Sequence, residues 1–265
     1  QTDKGTVRLI LNNASISNTT TAPIKVLDAK KVILTLADNT TNTITDSSRL
    51  STEEDYSAVI YSKQDLIING NGTLNVNAGY RNGIKSTDDC IIVSGTLNIT
   101  STEDGIIGKD LCGIVAGDIN INAGSDGIKS TYDTDTTKGN VIIEGGNITI
   151  KASNDGIQAE NILVINDGTI NIKTNNGAAD TTQTHIDNMD MGRGGFGFNN
   201  NKTTTTTDDT SESRKGIKAG NMLIINDGDI TIDSDDDSVH CNSVIYIYGG
   251  TINAATGDDG VHADD

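Results

Sequence analysis

The stretch Asp126-Gly127-Ile128-Lys129 returns in variant form at a fixed phase along most of the chain. Its glycine position falls at residues 83, 105, 127, 156, 216, 238 and 260, with serine at 238, so the copies lie 22, 22, 29, 60, 22 and 22 residues apart. The two longer intervals equal one 22-residue period plus 7 and plus 38 residues, and they indicate insertions. Seven copies of one supersecondary unit predict a solenoid.

Each copy also contains two apolar runs, and a third short run follows the Asp-Gly corner, as in Ile128-Lys129-Ser130. The first is continuous, as in Cys90-Ile91-Ile92-Val93, and the second alternates, as in Leu97-Asn98-Ile99. Alternation with β-branched residues is typical of strands that bury one face. Three short strands cannot enclose a core alone, but stacked coils pair equivalent strands into parallel sheets. The sequence therefore predicts an all-β fold, a single-stranded right-handed parallel β-helix with three short strands per coil of about 22 residues.

Glycine and asparagine recur at fixed places within the coil. We expect the glycines at 72, 95, 117, 146, 168, 228 and 250 to occupy corners that need unusual backbone angles. The asparagines of the alternating run are expected to stack as a side-chain amide ladder.

One domain is expected to span residues 1–265, with irregular opening coils at 1–65 and a loop insertion at 176–213. A shorter polar insertion is expected at residues 133–138. The long insertion is rich in glycine and threonine, which allows two interpretations. It is either a tolerated surface loop or a flap that offers Arg193, Phe196 and Phe198 to a glycan.

Composition limits the partners. A formal net charge of −18 argues against nucleic acid or an anionic membrane surface. No apolar run approaches the ~18 residues of a membrane span, and the sequence contains no secretory h-region, which leaves a processed leader possible. We expect a monomer, with Cys90 and Cys112 as buried thiols one period apart rather than a disulfide framework.

The period superimposes acidic residues in two columns. One column precedes the corner glycine and comprises Asn82, Asp104, Asp126, Asp155, Lys215, Asp237 and Asp259, with Glu103, Asn154, Asp236 and Asp258 one residue earlier. The other lies about five residues after the glycine and comprises Asp88, Asp89, Asp110, Asp133, Asn161, Asn221, Asp264 and Asp265.

Stacked carboxylates require a compensating charge. Parallel strands lie ~4.8 Å apart, where two carboxylates repel by roughly 3 kcal/mol at an effective dielectric near 20. Calcium accepts oxygen ligands in irregular geometry and can contact two coils at once. We therefore predict more than one Ca²⁺ ion, with candidate ligands Asp88, Asp89, Glu103, Asp104, Asp110, Asp126, Asp155, Asp236, Asp237, Asp258 and Asp259. The alternative is that each aspartate caps its own turn and faces water.

The position two residues after the glycine carries a second set of candidates. Lys85, Lys129 and Lys218 are candidate bases for removing a proton beside a uronate carboxylate, if burial or a metal lowers their pKa. The alternative is that they balance neighbouring acids. His240 and His262 occupy the same position one coil apart, as either a transition-metal pair or a solvated pair.

Residues 58–70, Gly83-Ile84-Lys85-Ser86 and residues 104–110 resemble bacterial carbohydrate-binding-domain proteins with a polysaccharide-lyase-like right-handed β-helix. The resemblance extends to residues 32–45. It implies calcium between coils at the Asp-Gly corners, a secreted or cell-surface location, and binding of acidic or cellulosic plant cell-wall polysaccharide. It also implies kinship with pectate lyases that use calcium and a lysine base. Related lyases place another acid two residues after the corner glycine, where this chain has Lys, Gln or His, so the catalytic assignment stays open.

Three functions follow for testing. The leading hypothesis is a calcium-dependent extracellular protein that binds polygalacturonate or pectin-like polysaccharide, with cellulosic chains as a further candidate. The first alternative is a calcium-dependent pectate lyase that acts by β-elimination with a lysine base. The second is a structural solenoid or adhesin spacer. Candidate sugar contacts are Tyr61, Tyr80, Tyr132, Tyr246 and Tyr248.

Overall fold

The computed structural model describes residues 5–47, 56–178 and 213–264. Its elements are 27 β-strands, numbered along the chain, in three parallel sheets of nine strands each. Every coil contributes one strand to sheet A, then one to sheet B, then one to sheet C. The predicted all-β parallel β-helix with three strands per coil is confirmed.

The strand order within each sheet follows the chain coil by coil. Sheet A contains β1 Thr6–Leu11, β4 Lys31–Leu36, β7 Leu66–Gly70, β10 Asp89–Ile92, β13 Leu111–Ile114, β16 Asn140–Ile143, β19 Ile162–Ile165, β22 Met222–Ile225 and β25 Val244–Ile247. Sheet B contains β2 Ser15–Asn18, β5 Thr41–Asp46, β8 Thr73–Ala78, β11 Thr96–Ser101, β14 Asp118–Ala123, β17 Asn147–Ala152, β20 Thr169–Thr174, β23 Asp229–Ser234 and β26 Thr251–Thr256. Sheet C contains β3 Ile24–Val26, β6 Ala58–Ser62, β9 Asn82–Ser86, β12 Ile106–Gly108, β15 Ile128–Lys129, β18 Ile157–Ala159, β21 Ile217–Ala219, β24 Val239–Cys241 and β27 Val261–Ala263.

The core is built from columns of aliphatic side chains that occupy equivalent positions in successive coils. In sheet B, Leu97 pairs with Ile119 and Ile119 with Ile148, and all three are fully buried. Because the register never slips along these pairs, each inward aliphatic residue meets its equivalent above and below. The 22-residue period of the sequence is therefore the period of the core.

The cysteines occupy the same apolar columns. Cys90 on β10 pairs in register with Cys112 on β13, and both are fully buried free thiols, as is Cys241 on β24. The prediction of buried thiols is confirmed.

The opening segment and the two insertions lie in different parts of the fold. The opening segment supplies β1 to β6 and joins all three sheets in the same order as the later coils. The short insertion lies between β15 and β16, at the turn from sheet C to sheet A. Most of the long insertion, including Arg193, Phe196 and Phe198, lies outside the described residues. No helix in the described ranges is long and apolar enough to cross a membrane.

The amide ladder forms over three coils. Asn98 Nδ2 donates to Asn75 Oδ1 at 2.9 Å, and Asn120 Nδ2 donates to Asn98 Oδ1 at 3.1 Å. The next residue in this register is Thr149, which has no amide to continue the ladder.

Two kinds of glycine shape the corners. Gly95 and Gly117 adopt φ of 113° and 117°, a region that favours glycine; in the preceding coil Gly70, not Gly72, has the positive φ. Gly127 is needed for a different reason, because a Cβ there would lie 2.5 Å from both the Gly156 carbonyl oxygen and Ile150 Cγ2. The corner glycine of the motif thus permits close stacking of coils.

Gly127→Ala should lower the free energy of unfolding by about 1–3 kcal/mol, because the added methyl group forces the coils apart. Thermal and denaturant unfolding measure the effect. Gly260→Ala is the matched control, since a Cβ at this equivalent corner has no neighbour within 4 Å. Equal unfolding midpoints for the two variants would contradict the tight stacking at Gly127.

Candidate functional site

Sheet C presents a narrow face with a single central column of side chains. Its strands are as short as two residues, and none exceeds five. The register places in this column Lys25, Tyr61, Lys85, Ile107, Lys129, Gln158, Lys218, His240 and His262. The turns that enter sheet C from sheet B form the B–C corner, and those that leave it toward sheet A form the C–A corner. The two acidic columns predicted from the sequence line these corners.

The acids of the B–C corner form a hydrogen-bond ladder between coils. Asp104 Oδ1 accepts the backbone N–H of Asp126 at 3.0 Å, and Asp126 Oδ1 accepts that of Asp155 at 2.9 Å. The same bond recurs from Asp155 to Lys215 at 2.7 Å and from Asp237 to Asp259 at 3.0 Å. Each carboxylate therefore supports the backbone of the next coil, instead of capping its own turn.

At two of these corners a lysine of the central column contacts the second carboxylate oxygen of the corner aspartate. Lys129 Nζ lies 2.6 Å from Asp126 Oδ2, and Lys218 Nζ lies 3.6 Å from Asp155 Oδ2. Burial raises the pKa of Asp155, an effect that the charge of Lys218 opposes. Ammonium groups thus provide positive charge at Asp126 and Asp155, where the sequence predicted calcium, and calcium at these two residues stays a prediction.

Asp104 differs from its equivalents because its coil has Ile107 at the lysine position. Within the described ranges no ion pair joins Asp104 to a lysine or arginine, while the neighbouring Glu103 lies 3.6 Å from Arg81 Nε. Burial and the charge of Asp126 raise the pKa of Asp104. This corner holds an incompletely compensated carboxylate, and it fits a cation.

The C–A corner gathers four aspartates from three coils. Asp88, Asp89 and Asp110 lie beside Asp65, which precedes β7. Burial and the charges of Asp65 and Asp110 raise the pKa of Asp88, and burial together with Asp65, Asp88 and Asp110 raises the pKa of Asp89 to about 6. Asp88 and Asp89 remain partly exposed, so this acidic cluster is open to an ion from solvent. Its donor set, all carboxylate oxygen, fits calcium.

Lys138 of the short insertion, together with Lys109 and Tyr132, adds two cations and an aromatic ring to this cluster. Lys138 Nζ lies 2.5 Å from Asp110 Oδ2, and this hydrogen bond raises the pKa of Lys138. Lys109 Nζ and Lys138 Nζ stand 4.7 and 4.8 Å from the centre of the Tyr132 ring. Both ammonium groups therefore lie within cation–π distance of Tyr132, at the edge of the four aspartates.

A polar cleft continues from Tyr132 along the C–A corner. Its volume is about 310 Å³, and its lining includes Tyr132, Asp133, Asp135, Glu160, Asn161 and Asn221. Carboxylate and amide oxygens accept hydrogen bonds from hydroxyl groups, and an aromatic wall packs against the apolar face of a sugar ring. The cleft has the chemistry of a saccharide subsite, beside the acidic cluster.

The last described coils bring together another predicted acid group. Asp236, Asp237 and Asp258 place one carboxylate oxygen each within 4.8 Å of one another. Lys215, which replaces the acid at its own corner, reaches Asp236 Oδ2 at 2.6 Å and Asp237 Oδ2 at 3.1 Å. The charge of Lys215 therefore partly neutralises these acids. Asp259 lies at the exposed edge of the group.

The three candidate lysine bases have different surroundings. Burial lowers the pKa of Lys85, whose Nζ lies 3.3 Å from Ser57 Oγ. Burial also acts to lower the pKa of Lys129, but its hydrogen bond and charge interaction with Asp126 outweigh burial and raise it. Since a base needs an accessible neutral amine, Lys85 fits that role better than Lys129.

Sequence reasoning missed Asp65 and Lys138. Asp65 precedes Leu66, which pairs with Cys90, so Asp65 is the equivalent of Asp89 one coil earlier. The coil between them has 24 residues rather than 22, and aligning the apolar runs Leu66-Ile67-Ile68 and Cys90-Ile91-Ile92 would have revealed it. Lys138 lies in an insertion, which has no equivalent in any other coil.

Comparison with known proteins agrees with this architecture. A family model described as carbohydrate-binding domain-containing protein matches residues 1–260. A carbohydrate-binding domain-containing protein of Acetivibrio thermocellus is 39% identical over 95 residues, which span 34% of this chain and 33% of that relative. A solved structure, the polysaccharide lyase-like protein from C. thermocellum as a gadolinium derivative, is similar with a TM-score of 0.62 at 36% identity, over 64% of this chain and 70% of that one. The resemblance drawn from the sequence is confirmed.

Lys129→Met should destabilise the fold by about 1–3 kcal/mol at neutral pH, because it leaves the buried Asp126 without its ammonium partner. Chemical denaturation measures the change. The matched control is Gln158→Met, one coil further along the same column, where the side chain contacts Glu160 at 3.4 Å and no corner acid. An equal effect of both substitutions would show that the Lys129–Asp126 pair contributes nothing specific.

Proposed function

The chain belongs to the family of carbohydrate-binding domain-containing proteins, and from this premise we propose that it binds acidic polysaccharide of the polygalacturonate or pectin type through calcium ions. A net charge of −18 repels a uronate chain unless cations lie between the two. Calcium held by the protein with free coordination positions bridges protein and sugar carboxylates. With calcium between them, the negatively charged protein can bind a negatively charged polysaccharide.

The observation that carries this proposal is the acidic cluster Asp65, Asp88, Asp89 and Asp110. Four carboxylates face one ammonium group, Lys138, and burial together with the charges of Asp65, Asp88 and Asp110 raises the pKa of Asp89 to about 6. Calcium takes six to eight oxygen ligands, and an ion at a partly exposed carboxylate cluster keeps some of its coordination positions on the solvent side. The remaining positions face solvent, where a sugar carboxylate or hydroxyl group binds.

Neighbouring groups suit the rest of a sugar residue. Lys109 and Lys138 attract a uronate carboxylate, and the Tyr132 ring offers an apolar face to the pyranose. The cleft beyond Tyr132 accepts hydroxyl groups and extends the site along the C–A corner. Neutral cellulosic chains are a secondary ligand class here, since the cleft itself needs no uronate.

Further calcium ions are proposed at the B–C corner. Glu103 and Asp104 beside Asp126 form one position, where Ile107 replaces the lysine. Asp236, Asp237 and Asp258 form another, which Lys215 partly neutralises. The related polysaccharide lyase-like structure is a gadolinium derivative, and gadolinium is a hard cation that prefers oxygen ligands, as calcium does. This supports oxygen-lined cation sites in the fold.

A secreted or cell-surface location follows from the proposal. Extracellular calcium modules bind calcium with dissociation constants of roughly 10⁻⁴ to 10⁻³ M, which suits open sites with water or sugar ligands. Cell-wall polysaccharide is also found outside the cell. The protein therefore acts where both calcium and its ligand are abundant.

A calcium-dependent lyase is the second candidate, favoured by one observation. Burial lowers the pKa of Lys85, which lies in the central column one coil from Asp104. The related structure is described as polysaccharide lyase-like. In this alternative Lys85 removes the proton beside the uronate carboxylate, and the glycosidic bond breaks by β-elimination.

Retention on immobilised polygalacturonate in calcium tests the proposal. The wild-type chain should be retained with calcium and released by a chelator. Asp88→Asn with Asp89→Asn should weaken retention about tenfold or more, because the ion loses two charged ligands. Asp167→Asn is the control, since Asp167 is an exposed acid outside the acidic cluster, and its Oδ1 accepts the N–H of Gly168.

Other outcomes separate the alternatives. Retention that survives the chelator would overturn calcium bridging. Absorbance from unsaturated sugar product, lost in Lys85→Met, would replace binding with lyase activity. The absence of retention and product, with and without calcium, would favour the structural spacer.

The calcium effect on stability should depend on pH. An unfolded aspartate titrates near pH ~3.9, whereas the pKa of Asp89 in the fold is about 6. The folded state therefore holds its proton more tightly, and the resulting stability is full below about pH 4 and lost as pH rises through about 6. Calcium replaces the lost proton as the compensating charge. Calorimetry should show a larger calcium-induced rise of the unfolding midpoint at pH 7 than at pH 5.

Asp89→Asn should reduce that pH dependence, and the same measurement on Asp167→Asn serves as the control. An equal calcium-induced shift at both pH values would show that the acidic cluster is not the calcium site.

A further inference from the structure

We propose that Asp237, His240 and His262 bind one zinc-class transition-metal ion between the last two described coils. This site lies apart from the acidic cluster of the C–A corner, but it shares Asp237 with the calcium position proposed at Asp236, Asp237 and Asp258, so the two ions compete for that carboxylate. It follows from the replacement of lysine by histidine in the central column. One carboxylate oxygen and one ring nitrogen from each histidine lie within 4.8 Å of one another. Two histidines and a carboxylate are a common donor set for such metals.

The two distances from Asp237 to the histidines are close to those between ligands of a tetrahedral ion. Zinc binds nitrogen and oxygen at ~2.0–2.2 Å, which places two tetrahedral ligands roughly 3.3 Å apart. Asp237 Oδ2 lies 2.9 Å from His240 Nδ1 and 3.4 Å from His262 Nδ1. Asp259 Oδ2, 3.6 Å from His262 Nδ1, is a fourth donor within reach.

The groups around both rings direct the same nitrogen toward Asp237. Asn242 Oδ1 lies 3.1 Å from His240 Nε2 and accepts its N–H, which leaves Nδ1 facing the carboxylate. Asp264 stands 3.7 Å from His240 Nε2 and 3.4 Å from His262 Nε2. A cation must lie between each Nδ1 and Asp237, either a proton or a metal ion. Acceptors on the outer ring nitrogen are the usual second layer of a metal–histidine site.

The remaining charges at the site favour a dication. Asp236, Asp258 and Asp259 surround the three ligands, and Lys215 is the ammonium group that contacts Asp237 among the residues described. Lys215 also holds Asp236 Oδ2 at 2.6 Å, so it keeps a partner when a metal ion takes Asp237 Oδ2. Asp237 Oδ1 is fixed by the N–H of Asp259, which orients the carboxylate before the metal arrives.

Ligand chemistry separates this site from calcium. Calcium selects oxygen donors, whereas imidazole selects zinc, copper, nickel and iron. The equivalent positions of earlier coils carry Lys129 and Lys218, whose ammonium groups are not metal ligands at neutral pH. The described coils therefore form one imidazole pair at a corner carboxylate, and a bound ion would clamp β24 to β27.

Zinc chloride titrated into the full chain by calorimetry, with calcium in about a hundredfold excess, tests the proposal. One Zn²⁺ ion per chain is expected, with release of protons from the rings. Cobalt chloride should give the strong visible bands of a four-coordinate ion. Zinc should also raise the unfolding midpoint.

The variants distinguish ligands from bystanders. His262→Gln changes a side chain that is 40% exposed, so the fold is retained, and zinc affinity should fall at least tenfold. The double variant His240→Gln with His262→Gln should lose zinc binding, and Asp264→Asn should weaken it roughly 10–100-fold. His185→Gln, which changes the remaining histidine of the chain, is the matched control and should bind as wild type does.

Three results would overturn the proposal. The first is absence of zinc uptake by the wild-type chain. The second is equal uptake by the double histidine variant, which would place the metal on carboxylates elsewhere. The third is displacement of zinc by the calcium excess, which would show that the imidazoles do not select the ion.

Discussion

Stacking of coils at the strand spacing is the constraint on which the rest of the structure depends. It places each side chain directly above its equivalent in the previous coil. For aliphatic residues this builds a core, since Leu97, Ile119 and Ile148 pack as one column. For aspartates it places like charges together, which is unfavourable unless hydrogen bonds and cations compensate. The corners of this protein show several ways of providing that compensation.

At the B–C corner the compensation is built into the chain. One oxygen of Asp126 accepts the next coil's N–H, and the other contacts Lys129. The corner aspartate and the central-column residue thus act as a pair. A different residue in the central column changes the charge and the donor atoms next to the aspartate. At Asp104 the equivalent residue is Ile107, which supplies no ammonium group, and at Asp237 it is His240, which places a ring nitrogen beside the carboxylate. Changes at a single position of the repeat therefore change the groups that surround the corner carboxylate.

The sequence predicted the fold well because the fold is periodic. Alternation of period two identified the strands, and the 22-residue repeat identified their stacking, so the register of Cys90 with Cys112 followed directly. It predicted the members of the acidic columns but not how their oxygens are used, because Oδ1 of Asp104 is committed to the Asp126 backbone only in three dimensions. Asp65 and Lys138 were missed because a 24-residue coil and an insertion break the period. Comparing the coils by sequence cannot locate residues that lie outside the regular repeat.

The buried thiol column has a consequence for oxidation chemistry. The thiolate is the form that reacts with oxidants and with other thiols. Burial raises the pKa of Cys112 to about 12, so the thiol is the dominant form of this sulfur at pH 7. Cys90, likewise fully buried, has its pKa raised well above the usual range. The apolar interior therefore lets the chain keep reduced sulfur in aerated surroundings without a disulfide or a reducing partner.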